Sequence, residues 1–152
     1  MGDQLFGGAP MRDIAGVHMT MDGYVEKEAS LEPGVVCQMF DALVLALGMR
    51  YLQRPVAMRV PVDPGKLDSE EDEGGWSVIA QITTSHIALH GWPLRLAFML
   101  DVFSCKPFDT GQASAVVYGE LGVTSAVTEV RHRRGPPAPY AVRWNGRFPS
   151  QP

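Results

Sequence analysis

The stretch TTSHIALHGWPLRLAFMLDVFSC, residues 83–105, carries two β-like runs in quick succession. His86 to Leu89 forms the first, and Gly91-Trp92-Pro93 punctuates the chain after it. Leu96 to Phe103, LAFMLDVF, forms a second and more apolar run. Strands joined by so short a link pair antiparallel, because a parallel return needs a crossover of a dozen residues or more.

The surrounding sequence extends this pattern. Trp76 to Ile82 is a further strand upstream, and Val56 to Val62 is a short β-like run closed by Pro61 and Pro64. Gly16 to Val25 alternates, with His18, Thr20 and Asp22 on one parity and Val17, Met19 and Met21 on the other. Leu31 to Met49 reads as a helix: Pro33 suits an early position, and Val36, Met39, Phe40, Leu43 and Leu47 recur at helical spacing. Asp109 is placed to cap a second helix running to Leu121 and ended by Gly122. Val123 to Val130 supplies a last strand. The order is strand, helix, four strands, helix, strand. It predicts an α+β two-layer sandwich, a mostly antiparallel sheet with two helices packed on one face.

Composition sets the outer bounds. The chain has 152 residues, 45% hydrophobic and 20% charged, which fits one soluble domain able to bury a core. Two cysteines, Cys37 and Cys105, are too few for a disulfide scaffold. No apolar run approaches the ~20 residues of a membrane helix. The start, MGDQLFGGAP, lacks the basic and apolar regions of a signal peptide, and Phe6 stands where a myristoylation motif wants Ser or Thr. A reducing cytoplasm is the expected location.

Charge is unevenly spread. Residues 63–73 hold six acids and one lysine, a pattern that reads as a solvated loop. After Val130 come five arginines and no acid, interrupted by Pro136, Pro137 and Pro139. This basic stretch, 131–152, reads as a Pro-rich tail lying against the domain rather than as a nucleic-acid site.

Chemistry-bearing side chains gather in one window: Ser77, Ser85, His86, His90, Trp92, Asp101 and Cys105. His86, His90 and Cys105 are types that ligate zinc, but no HExxH, CxxC or fourth ligand accompanies them, so no metal is expected. A hydrolase would use Ser85 or Cys105 with His90 as base, yet the GxSxG elbow is missing. By type alone, the histidines read as ordinary strand residues and Cys105 as a small hydrophobe.

The joint pattern changes that reading. Ser85-His86, His90, Trp92-Pro93 and Asp101 through Cys105, in this order, closely resemble the core of the bacterial and archaeal S-adenosylmethionine decarboxylase proenzymes. Ser77, eight residues before Ser85, matches a family serine, and Gly16-Val17-His18-Met19 resembles the family's N-terminal stretch. The similarity covers roughly Gly16 to Gly135, so residues 1–135 are expected to form the domain and 136–152 a tail.

The resemblance implies a mechanism. The chain is expected to cut itself between Thr84 and Ser85, leaving a pyruvoyl group derived from Ser85 as its cofactor. The Ser85 hydroxyl attacks the Thr84 carbonyl, and the resulting ester is eliminated across the Ser85 Cα–Cβ bond. His90 matches the histidine that acts in processing, where the resemblance implies the role of base, a task suited to imidazole. Ser77 matches a serine that assists by hydrogen bonding. The pyruvoyl ketone then condenses with a substrate amine and acts as an electron sink on loss of CO₂, as pyridoxal phosphate does elsewhere. Cys105 matches the proton donor, a role open to a thiol because its acidity is tunable. Trp92 and position 94 match the substrate side, and a homodimer with sites near the interface is the family's arrangement.

The pattern departs from the family at three places. Thr84 replaces a Glu, Gly91 replaces a Thr, and Leu94 replaces the Glu that contacts the substrate's ribose hydroxyls. Leu94 cannot accept those hydrogen bonds, which loosens discrimination for a hydroxylated ligand. The leading expectation is a small-molecule decarboxylase acting on S-adenosylmethionine in polyamine (spermidine) synthesis. The alternatives are a pyruvoyl enzyme for ornithine or arginine, and an unprocessed homologue that binds without catalysis.

Overall fold

The computed structural model describes residues 15–60, 74–83 and 85–134. Thr84, the acidic stretch 63–73, Pro61, Val62 and the tail 136–152 lie outside the described residues.

Six strands form one antiparallel sheet in the order β2-β3-β4-β5-β1-β6. They are β1 (Ala15–Val25), β2 (Tyr51–Val60), β3 (Gly75–Ile82), β4 (Ser85–Trp92), β5 (Ala97–Ser104) and β6 (Val123–Arg134). Two helices, α1 (Pro33–Ala46) and α2 (Thr110–Leu121), pack against each other and against one face of the sheet. The α+β sandwich read from the sequence is the observed architecture.

Local chemistry explains the helix ends. Pro33 opens α1, where its missing N–H costs no intrahelical bond. Gly48, just past the α1 C-cap at Leu47, takes φ +61°. The Asp109 carboxylate accepts from the Gln112 N–H at 2.9 Å, and Gly122 closes α2 in the left-handed region at φ +62°. Leu31, expected to open the first helix, instead closes a short 3₁₀ turn, Glu28–Leu31, and the helix itself ends at Ala46 rather than Met49.

Three strand boundaries differ from the sequence reading. β4 continues through Gly91 and Trp92, which pair with Phe98 and Ala97, so the break falls at Pro93–Leu96. β2 starts at Tyr51 rather than Val56, running through Pro55. Proline is tolerated there because β2 is an edge strand, and the register slips on both sides of Gln53. β6 runs on to Arg134 because β1 offers it partners as far as Ala15. Arg131 to Arg134 are therefore strand residues, not the start of a tail.

Side-chain alternation divides the sheet. Met19, Met21, Ile87, Leu89, Phe98, Leu100 and Val102 are fully buried beneath the helices with Phe40, Leu43 and Leu121. Each such side chain contributes about 1.5–3 kcal/mol by leaving water. The opposite face carries no helix among the described residues. Across it, the register sets out successive rows: Arg131, His18, Phe103, His86 and Gln81; then Glu129, Thr20, Asp101, Ala88 and Ile79; then Val127, Asp22, Met99, His90 and Ser77. Polar and titratable groups thus gather on one sheet face, which the period-2 pattern of β1 foreshadowed.

Candidate active site

Ser85 and Cys105 meet at one end of the sheet. Ser85 opens β4 directly after the turn from β3 and pairs with Ser104, the last residue of β5. The next N–H along, that of Cys105, donates to Ser85 Oγ at 3.0 Å. Ser104 is fully buried and its hydroxyl accepts from the Lys106 N–H at 3.0 Å, which holds the chain in a tight bend past β5. The bend leaves the Cys105 side chain exposed. A half-buried serine at a strand start, its oxygen held by a backbone N–H, fits the precursor of a pyruvoyl group.

Ser77 and His90 form a second pair. They face each other across β3 and β4, with Ser77 Oγ 2.9 Å from His90 Nδ1. The hydroxyl donates when Nδ1 carries no proton. His90 lies five residues beyond Ser85 on the same strand, roughly 17 Å at ~3.4 Å per residue. It also has the opposite parity, sharing the uncovered face with His86 and Ala88.

Trp92 and Leu94 lie farther still. Trp92 ends β4 and lines a cavity of about 390 Å³ with Asp22, Tyr24, Arg95 and Met99. Leu94, on the short turn that follows, is 69% exposed. The sequence-read site residues are therefore brought together as separate groups along one strand, not as one cluster. Among the described residues, no group of three or more His, Cys, Asp and Glu is placed to hold a metal ion.

Two features escaped the sequence reading. His18 Nε2 lies 2.7 Å from Asp101 Oδ1, linking β1 to β5 on the uncovered face. The signal was present in the polar parity of His18, Thr20 and Asp22 on an otherwise apolar strand. The second feature is a platform made by Phe103. Its ring lies over Gly16, so close that a Cβ there would come within 2.7 Å of a ring carbon. His18 meets this ring edge-on at 6.1 Å, His86 is tilted against it at 5.7 Å, and the Arg133 guanidinium sits 4.8 Å from its centroid.

Cys37 belongs elsewhere. It is half-buried on α1 and packs against the core. Burial pushes its thiol above the usual cysteine range, the Asp41 carboxylate adds to the rise, and Arg54 offsets part of it.

Known proteins place this arrangement. The crystal structure of the adenosylmethionine decarboxylase from Aquifex aeolicus VF5 superposes with a TM-score of 0.59 over 78% of this chain and 89% of that one. At 16% identity, that likeness speaks for the fold. An arginine decarboxylase proenzyme from Caldivirga maquilingensis is 45% identical over 42 residues, a match covering 25% of this chain and 31% of the relative. A family profile described as S-adenosylmethionine decarboxylase matches residues 17–135, from the first strand to just past the last. With most of the described chain inside that match, the protein belongs to the S-adenosylmethionine decarboxylase family.

Proposed function

We propose that the chain is a self-processing, pyruvoyl-dependent decarboxylase of an amino acid with a positively charged side chain, working in the cytoplasm in polyamine synthesis. The hydrogen bond from Cys105 to Ser85 carries this reading, since it sets the cofactor precursor beside the expected proton donor. The Ser85 hydroxyl adds to the Thr84 carbonyl, the C–N bond breaks, and an ester replaces the amide. A base then takes the Ser85 α-proton and the ester leaves as the new carboxyl terminus. The dehydroalanine left at position 85 tautomerises to an imine, and water hydrolyses it to the ketone with release of ammonia. Ser77 holds the His90 ring in place, and because His90 stands roughly 17 Å from Ser85 within one chain, it serves as base toward the Ser85 of a second copy. Once formed from Ser85, the pyruvoyl group would supply an electron sink for the pair released with CO₂ from a substrate bound through its amine. Cys105 then returns a proton to the former α-carbon.

S-Adenosylmethionine is the first substrate to test, in line with the family. Arginine or ornithine is the second reading, favoured by Leu94, which offers no acceptor to ribose hydroxyls, and by the proenzyme relative.

The enzyme is proposed to work as a homodimer with the uncovered sheet faces together. Val56, Met58, Ile79 and Met99 are 41–57% exposed and lie near one another on that face, an apolar patch of the kind that marks association. A two-fold axis lying across the strands would set the Ser85 end of one sheet over the Trp92 end of its partner. That supports a site assembled from groups that one chain keeps apart.

Mass spectrometry of the purified, denatured protein tests the processing step. Two fragments split before residue 85 are expected, and an intact 152-residue chain would refute the enzyme reading. CO₂ release from S-adenosylmethionine, ornithine and arginine in parallel then selects the substrate. Mixing Ser85→Ala with Trp92→Ala protein should restore activity that neither has alone if the two copies share sites.

A further inference from the structure

Beside Cys105 lies a cavity of about 260 Å³, lined by Gly16 and Pro107 and by His132, Arg133 and Arg134. No acidic side chain lines it among the described residues. Asp101 and Glu129 stand two rows along the sheet from Gly16 and Arg133, and Asp101 is engaged by His18. A recess with basic side chains and no carboxylate favours an anion.

Arg133 is the best placed of these groups. It belongs to β6, the edge strand opposite β2, and pairs with Gly16 of β1. Its side chain crosses β1, because its guanidinium lies over Phe103 of β5. β5 is the strand next to Ser85, and Phe103 is two residues before Cys105. The absent Cβ of Gly16 is what admits the ring on which Arg133 rests. The ring holds the guanidinium at this end of the sheet, and a guanidinium offers the planar N–H fork suited to a carboxylate.

We propose that Arg133 receives the α-carboxylate of the substrate and so orients the bond that loses CO₂ next to Ser85 and Cys105. This rests on the decarboxylase reading and adds a substrate-binding residue to it. The carboxylate is the one group the amino acid has and its product amine lacks. Binding through Arg133 should therefore distinguish the two ligands, whatever the side chain.

The self-processed protein supplies the test through two measurements. One is KM for whichever amino acid it turns over; the other is the calorimetric Kd of the corresponding decarboxylated amine. In Arg133→Gln, KM should rise by roughly ten- to a hundred-fold, the loss expected for a charge-assisted pair. The Kd of the amine should move by less than about two-fold, since it makes no such pair. Arg133→Lys keeps the charge and most of the stem, and should fall between the wild type and Arg133→Gln. Equal shifts for acid and amine, or an unchanged KM, would overturn the assignment. A wild-type protein that splits but releases no CO₂ from any of the three amino acids would instead defeat the decarboxylase reading, so the two failures are distinct.

Discussion

The backbone N–H of Cys105 donates to Ser85 Oγ at 3.0 Å, so the end of β5 holds the residue that opens β4. The serine hydroxyl is thereby positioned by main chain, which a side-chain substitution does not remove. Ser85→Ala should leave the sheet intact, because only one oxygen at a strand terminus is lost, and should abolish self-cleavage. The denatured mass spectrum would then show a single full-length species. Two fragments from Ser85→Ala would exclude Ser85 as the nucleophile.

Cys105→Ala separates processing from turnover for the same reason. The variant keeps the N–H that meets Ser85, so splitting should go to completion. Turnover should fall by about a hundred-fold or more, the usual contribution of a positioned proton donor. Full activity in the variant would remove Cys105 from the mechanism.

The two thiols should also differ chemically. Cys105 is exposed, whereas Cys37 is half-buried and its thiol is pushed upward by burial and by Asp41. A raised pKa means less thiolate near neutrality, and thiolate is the reacting form. Brief alkylation at pH 7.5 should label Cys105 first, with Cys37 following as the pH rises. Peptide mapping that found Cys37 modified first would contradict this picture.

Most of the architecture was legible in residues whose chemistry is local. Asp109 and Gly122 marked both ends of α2, and the parity of Val17, Met19 and Met21 marked the buried face of β1. What escaped depended on partners far away in sequence. β6 outruns the reading at Val130 only because β1 extends to meet it, and β2 accepts Pro55 because, among the described residues, no strand lies outside it. The site follows the same division. The motif brought Ser85 and Cys105 into one frame, but the His18–Asp101 contact joins residues 83 positions apart. The seating of Arg133 depends on Gly16 and Phe103, on two other strands, and no spacing rule reports it.

Gly16 tests that seating. A Cβ there would approach the Phe103 ring at 2.7 Å and the Ser104 carbonyl oxygen at 3.1 Å, so the ring must shift. Gly16→Ala should cost about 1–3 kcal/mol, as overpacking does, read as a lower denaturation midpoint. The displaced ring should also unseat Arg133 and raise KM. A variant with wild-type stability and KM would show that the ring moves aside without consequence.

Leu94→Glu addresses substrate choice. Leu94 is 69% exposed on a turn, so a carboxylate there costs little desolvation and should leave the melting temperature within about 2 °C of wild type. The new side chain can accept hydrogen bonds from a ribose diol, which neither arginine nor ornithine presents. A buried or ligand-engaged hydrogen bond to a charged group contributes on the order of a ten-fold change in affinity or more. Leu94→Glu should therefore raise kcat/KM for S-adenosylmethionine by about ten-fold relative to arginine and ornithine. The comparison is internal, since all three substrates share the amine, the carboxylate and the cofactor. An unchanged preference would mean that position 94 does not face the nucleoside.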